Sequence, residues 1–187
     1  MNLYTKLQTR AAINTPIRVG MIGAGKLGSM FLAQAIKLPG IHIVAICDID
    51  LGQTKSNLAY IGWPQDRYAA RSLDDALKHH STFLTDHSDR VIKCPKIDII
   101  IECTGNPVAA VAHAVAAFAA QKHVINATVE ADAFCGAGLA AAAHEAGVIY
   151  SMAYGDQPAL VCDLVDWARS CGSVSYTHLT LPTNREV

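Results

Sequence analysis

Three glycines stand at a spacing that suits anion chemistry, in Gly23-Ala24-Gly25-Lys26-Leu27-Gly28. A glycine at the first position permits a tight turn. One at the second lets a pyrophosphate reach bare backbone, and one at the third lets a helix lie close on a strand. A helix starting at Lys26 and Leu27 would present its first N–H groups and the positive end of its dipole to phosphate oxygens. Twenty residues beyond Gly28, Asp48 ends a second apolar run and can accept hydrogen bonds from ribose hydroxyls. Strand, glycine turn, helix, strand and acid in this order predict a dinucleotide-binding fold.

Further polar residues stand at the ends of later apolar runs. Thr104, Gly105 and Asn106 precede Pro107 and are expected near the nicotinamide half of a dinucleotide or its ribose; the same turn also calls for Gly and Asn at positive φ. Glu130 and Asp132 follow the fifth strand as positioning or acid/base groups, with Asp132 equally suited to cap the next helix. Asp156, ahead of Gln157-Pro158, reads either as a helix cap or as a cofactor or substrate contact. Asp48 and Asp50 flank Ile49 with no arginine beside them, an arrangement that repels a ribose 2′-phosphate and favours NAD over NADP. His79, His80, His87 and Cys94 have no metal-ligand spacing, so no metal site is expected. Trp63 and Trp167 are expected to pack.

The elements that must position these residues alternate. Helix is expected over residues 3–12, strand over 17–22 and helix over 26–38, with apolar Leu27, Met30, Phe31, Ala33, Ala35 and Leu38 on one stripe. Strand follows over 41–47 and helix over 53–61. Ser72, with Asp74 and Asp75 behind it, marks another helix start. A weak strand lies at 82–85 and a buried one at 97–103. Pro107 opens an Ala-rich helix to residue 121, followed by strand 122–126, helix 131–146 ended by Gly147, strand 148–153 and helix 157–170. Strands alternating with helices predict an α/β fold, a Rossmann-type doubly wound parallel sheet with ligands at the carboxyl ends of its strands.

Composition agrees. The 187 residues are 51% hydrophobic and 17% charged, as a buried parallel sheet requires. A net charge of −1 gives no reason to expect nucleic-acid or anionic-membrane partners. No apolar run reaches the roughly 18 residues of a membrane span. Residues 1–7 lack the order of a signal peptide. The six scattered cysteines, without a CxxC pair, suit a reducing, cytoplasmic compartment.

From Ser173 the pattern changes. Residues 173–187 resemble a translated transposon end read through in frame, so native sequence is expected to end near Gly172. The expected organisation is a helical lead over 1–16, a nucleotide-binding domain over 17–153, the truncated start of a catalytic domain over 154–172, and a non-native tail.

Four stretches carry a family resemblance: residues 17–30; Ile101-Glu102-Cys103-Thr104-Gly105-Asn106-Pro107; Val129-Glu130-Ala131-Asp132; and Tyr150-Ser151-Met152-Ala153-Tyr154-Gly155-Asp156-Gln157-Pro158. In these the chain resembles the homoserine dehydrogenase-like NAD(P)-dependent oxidoreductases, in the reductoisomerase-like branch whose longer members end in a SAF domain. The resemblance implies a cofactor domain, a catalytic domain and a C-terminal module, of which the first and the start of the second are present. It implies hydride transfer with a small-molecule substrate and homo-oligomerisation at full length. Ordinary homoserine dehydrogenases have an Asn-Lys pair where this chain has Val129-Glu130, which argues against homoserine itself as substrate. A nucleotide-binding sensor without turnover is the alternative at this stage.

Overall fold

The computed structural model describes residues 2–153 and 157–172, with side chains undescribed at 157–161. The chain divides after Met152 into two units. In the first, helix α1 (Leu3–Ala12) leads into strand β1 (Ile17–Ile22), α2 (Lys26–Ala35), β2 (Ile41–Cys47) and α3 (Leu51–Tyr60). A 3-10 turn at Gln65–Tyr68 precedes α4 (Leu73–His79), β3 (Phe83–Thr85), α5 (Ser88–Ile92) and β4 (Ile99–Glu102). Then come α6 (Pro107–Ala119), β5 (His123–Asn126), α7 (Val129–Glu145) and β6 (Tyr150–Met152). The second unit contains α8 (Gln157–Ser170).

All six strands are parallel in the order β3-β2-β1-β4-β5-β6. The order reverses between β1 and β4, so their carboxyl ends diverge there and leave a crevice. Helices cover both faces, which explains the unbroken apolar runs. Within β2, Ile43 joins a cluster with Met21, Leu32 and Leu58, whereas Val44 joins one with Ile100, Phe118 and Val124. Trp63 is buried as expected, and its Nε1 donates to the Leu32 carbonyl at 3.0 Å.

Several local expectations are met and others corrected. Ser72 caps α4 by accepting from the Asp75 N–H, and Gly147 follows α7 at φ +69°. The α2 stripe is rotated from the expected one. Gly28, Leu32 and Ala35 face the sheet, while Leu27 and Met30 are 52% and 59% exposed. The helix meets the sheet through its glycine, so the larger neighbours turn outward. Helix α7 begins two residues early, with Thr128 as its N-cap, so Asp132 lies inside the first turn and does not cap. In α8, Trp167 is 68% exposed, against the packing expected of it. Residues 173–187 and Asp156 lie outside the described residues.

Candidate functional site

The glycine turn leaves β1 at Gly23 with φ +94°. A Cβ there would stand 2.5 Å from the carbonyl carbon and oxygen of Cys103 and 2.8 Å from the Thr104 nitrogen, so the turn runs tightly against the end of β4. Gly28 carries α2 past the same turn, since a Cβ would lie 2.6 Å from both the Gly23 carbonyl oxygen and the Met21 methyl. Gly25 differs. It is the N-cap of α2, it is exposed, and a Cβ on it would meet nothing within 4 Å. It presents bare backbone at the positive end of a helix, where an anion is stabilised. Lys26 and Leu27, both exposed, open that helix.

Asp48 follows the last residue of β2 and is tied to the turn. Its Oδ2 accepts from the Ala24 N–H at 2.7 Å, and its Oδ1 accepts from the Asp50 N–H at 3.0 Å. Asn57 of α3 donates from Nδ2 to the Ala24 carbonyl at 2.9 Å, securing the turn from a second side. Asp50 itself caps α3 by accepting from the Gln53 N–H at 2.8 Å. The sheet therefore fixes the acid and the anion-facing turn relative to each other.

Gly23, Gly25, Asp48, Thr104 and Asn106 line one cavity of about 460 Å³, together with Ile49, Asp86, Ser88 and His113. Cys47 and Cys103 border it as protonated thiols. Burial, then the charges of Asp48 and Asp86, push Cys47 up to about 11; burial, then Glu102, push Cys103 up to about 12. Neither is a ready nucleophile.

Beside this cavity, a buried carboxylate organises the loops after β4 and β5. Glu102 is completely buried. Its Oε1 accepts from Thr104 Oγ1 at 2.5 Å and from the Thr104 N–H at 3.3 Å; its Oε2 accepts from Thr128 Oγ1. His113 Nδ1 stands 3.5 Å from Oε1. Thr128 Oγ1 in turn accepts from the Gly105 N–H at 3.1 Å. Asn126 continues the network. Its Oδ1 accepts from the Thr128 N–H at 3.1 Å, and its Nδ2 donates to Tyr150 Oη at 3.0 Å. Tyr150 donates to Asp132 Oδ1 at 2.6 Å.

The Thr104–Asn106 turn meets its expected backbone requirement in part. Gly105 takes φ +67°, but Asn106 does not adopt positive φ. It caps α6 by accepting from the Ala109 N–H at 3.1 Å. Glu130 is exposed in the first turn of α7, and neither it nor Asp132 is among the residues lining the cavity. Asp132 Oδ2 is buried without a hydrogen-bond partner among the described residues. Burial and Asp132 together raise the Tyr150 pKa, so the phenol stays protonated as the donor. Glu102, Thr128, His113 and Tyr150 escaped sequence reasoning as site residues. The available signal was an acid closing an otherwise apolar strand, at Glu102. Among the described residues, no group of three His, Cys, Asp or Glu could hold a metal ion, and no helix is long and apolar enough to cross a membrane.

Residues 17–127, from β1 to just beyond β5, match the family described as "Oxidoreductase family, NAD-binding Rossmann fold" (GFO_IDH_MocA). The chain belongs to this oxidoreductase family. Among solved structures, this GFO_IDH_MocA chain is similar to a homoserine dehydrogenase from Thiobacillus denitrificans (25% identity, TM-score 0.58), covering 73% of the present chain and 29% of that one. It also resembles biliverdin reductase from Synechocystis, solved with biliverdin and NADP+ (21% identity, TM-score 0.54, 75% and 38% covered). An NAD binding oxidoreductase from Klebsiella pneumoniae is similar at 19% identity (TM-score 0.55, 82% and 39% covered). The last two likenesses are of fold. The chain therefore spans well under half the length of these solved relatives. No curated protein matches it. The residues present fit a dinucleotide: Gly25 leaves open space at a helix N-terminus, and Asp48 lines the adjoining cavity.

Proposed function

We propose that the chain is the cofactor-binding part of a homoserine dehydrogenase-like oxidoreductase that moves a hydride between a nicotinamide and a carbonyl or alcohol carbon of a small molecule, with NAD preferred over NADP. The observation that carries this reading is the bond from the Ala24 N–H to Asp48, which joins the anion-facing turn to the acid that would meet the ribose. A bound dinucleotide supplies the hydride-transfer chemistry; the protein supplies binding, orientation and exclusion of water. Gly25 and the first turn of α2 would hold the pyrophosphate, and Asp48 the adenosine ribose. Thr104 and Asn106 would meet the nicotinamide half, held in place by Glu102 and Thr128.

The 25% identity to a homoserine dehydrogenase supports the finer family placement. Val129 and Glu130 favour a substrate other than homoserine. This reading includes a cytoplasmic setting, a small-molecule substrate and homo-oligomerisation of the full-length protein. It takes Glu130 and Asp132 as substrate-side groups that act with residues outside this chain, and Asp156 as a contact near them. The present chain is then expected to bind cofactor without measurable turnover. Calorimetry with NADH and NADPH tests the reading. Binding of NADH, tighter than NADPH, is expected; binding of neither overturns it.

A further inference from the structure

The cavity beside Asp48 carries a second acid. Asp86 follows Thr85, the last residue of β3, and lines the same cavity as Asp48, Ile49 and Ser88. The two loop starts are joined, because the Asp48 N–H donates to the Thr85 carbonyl at 3.1 Å. The Thr85 hydroxyl accepts from the His87 N–H at 3.2 Å, which turns the chain directly after Asp86. Burial, then the charges of Asp48 and Asp86, push the Cys47 thiol up.

The charged or titratable side chains lining the cavity are Asp48, Asp86 and His113, beside the thiols of Cys47 and Cys103; no lysine or arginine lines it among the described residues. The basic side chains around these loops are exposed to solvent or make other contacts. His87 Nε2 lies 3.5 Å from Asp86 Oδ1, but both side chains are more than half exposed. The Arg90 guanidinium sits 4.8 Å over the Phe83 ring. Lys26 is exposed at the start of α2, on the pyrophosphate side of the turn.

We infer that Asp86 is a second specificity-determining residue of the cofactor site, acting with Asp48 to exclude an adenosine ribose that carries a 2′-phosphate. The inference rests on the proposed dinucleotide reading. A phosphate monoester brings between one and two negative charges at neutral pH, and repulsion by a half-exposed carboxylate across a wet cleft is modest and screened by salt. Asp48 would serve as both hydrogen-bond acceptor and electrostatic barrier, whereas Asp86 would act through charge.

The test is calorimetric titration of the full chain with NADH and NADPH, comparing wild type, Asp86→Asn and Asp74→Asn. Asp74 is 89% exposed in its side chain, pairs with Lys96 and stands outside the cavity, so its variant controls for net charge. Asp86→Asn is expected to raise the NADPH-to-NADH affinity ratio about fivefold at low salt, with the gain shrinking as salt is added. Asp74→Asn is expected to leave the ratio within about twofold of wild type. An unchanged ratio in Asp86→Asn, or an equal rise in both variants, overturns the role of Asp86 while leaving the cofactor reading intact. A wild-type chain that binds neither dinucleotide overturns both.

Discussion

The Asp48 carboxylate accepts a hydrogen bond from the Ala24 N–H at 2.7 Å, across the tops of two neighbouring parallel strands. The acid that would hold a ribose is therefore also a structural brace of the turn that would hold the pyrophosphate. Charge and bracing can be separated by substitution. Asp48→Asn keeps an oxygen for the Ala24 N–H, turns its NH2 toward the Asp50 N–H and removes the charge, so it is expected to raise the NADPH-to-NADH affinity ratio at a cost of about 1 kcal/mol in stability. Asp48→Ala leaves the N–H groups of Ala24 and Asp50 without that acceptor and is expected to cost a further ~1–2 kcal/mol in urea unfolding. It should weaken NADH more than NADPH. Calorimetry in which NADPH suffers more would reverse the assigned preference.

Gly25 and Gly28 are three residues apart and answer to different constraints. Gly25→Val adds bulk where a Cβ meets nothing within 4 Å, so the chain should fold within about 1 kcal/mol of wild type and lose dinucleotide binding. Gly28→Ala drives a methyl against the Gly23 carbonyl and Met21, and should destabilise by about 1–3 kcal/mol. Thermal unfolding beside calorimetry checks the pair. A Gly25→Val chain that still binds would remove the pyrophosphate from this turn.

Glu102 satisfies hydroxyls from two loops while completely buried. Glu102→Leu leaves Thr104 and Thr128 without their acceptor in a low-dielectric interior and is expected to cost about 3 kcal/mol, with Glu102→Gln losing less. Urea unfolding orders the two. Equal stability of wild type and Glu102→Leu would show that water replaces the carboxylate at no cost.

At the opposite end of the sheet, Asp98 accepts from the Arg18 N–H at 2.9 Å, Nε at 3.0 Å and Nη2 at 2.6 Å. Burial would raise the Asp98 pKa; the Arg18 hydrogen bonds outweigh it and hold the carboxyl below its usual range. A carboxyl depressed in the folded state contributes stability above its unfolded pKa of about 4, and that contribution disappears as pH falls through the folded value. Both side chains are 37% exposed, so screening limits the pair to about 1 kcal/mol. Asp98→Asn should lower the urea midpoint at pH 7, with the gap to wild type closing as pH drops below about 4. A gap that widens in acid would contradict the assignment.

Much of this molecule is legible in its sequence where periodicity is long. Helix α1 and strand β1 fall on the expected residues because Pro16 separates a helical stretch from an apolar run. The glycine turn and Asp48 were legible because their spacing is set by a single strand–helix–strand unit. Helix α5 and the 3-10 turn were missed because four or five residues carry no readable period. The stripe of α2 drawn from apolar residues is misplaced because Gly28, which the glycine spacing already sets against the strand, makes the closest approach. The setting of Glu102 was hidden for another reason: its partners come from segments 2, 11 and 26 residues away, and no local pattern records that convergence.

Thr128 Oγ1 accepts a hydrogen bond from the Gly105 N–H and donates its own to Glu102. A group that must accept and donate at one buried point leaves little latitude in sequence. Valine keeps the shape and loses both bonds, alanine loses shape and bonds, and the amides and acids are too large for the space a β-branched hydroxyl fills. Mutational tolerance at position 128 should therefore narrow to threonine and serine, although the residue stands in a loop, where variation is ordinarily widest.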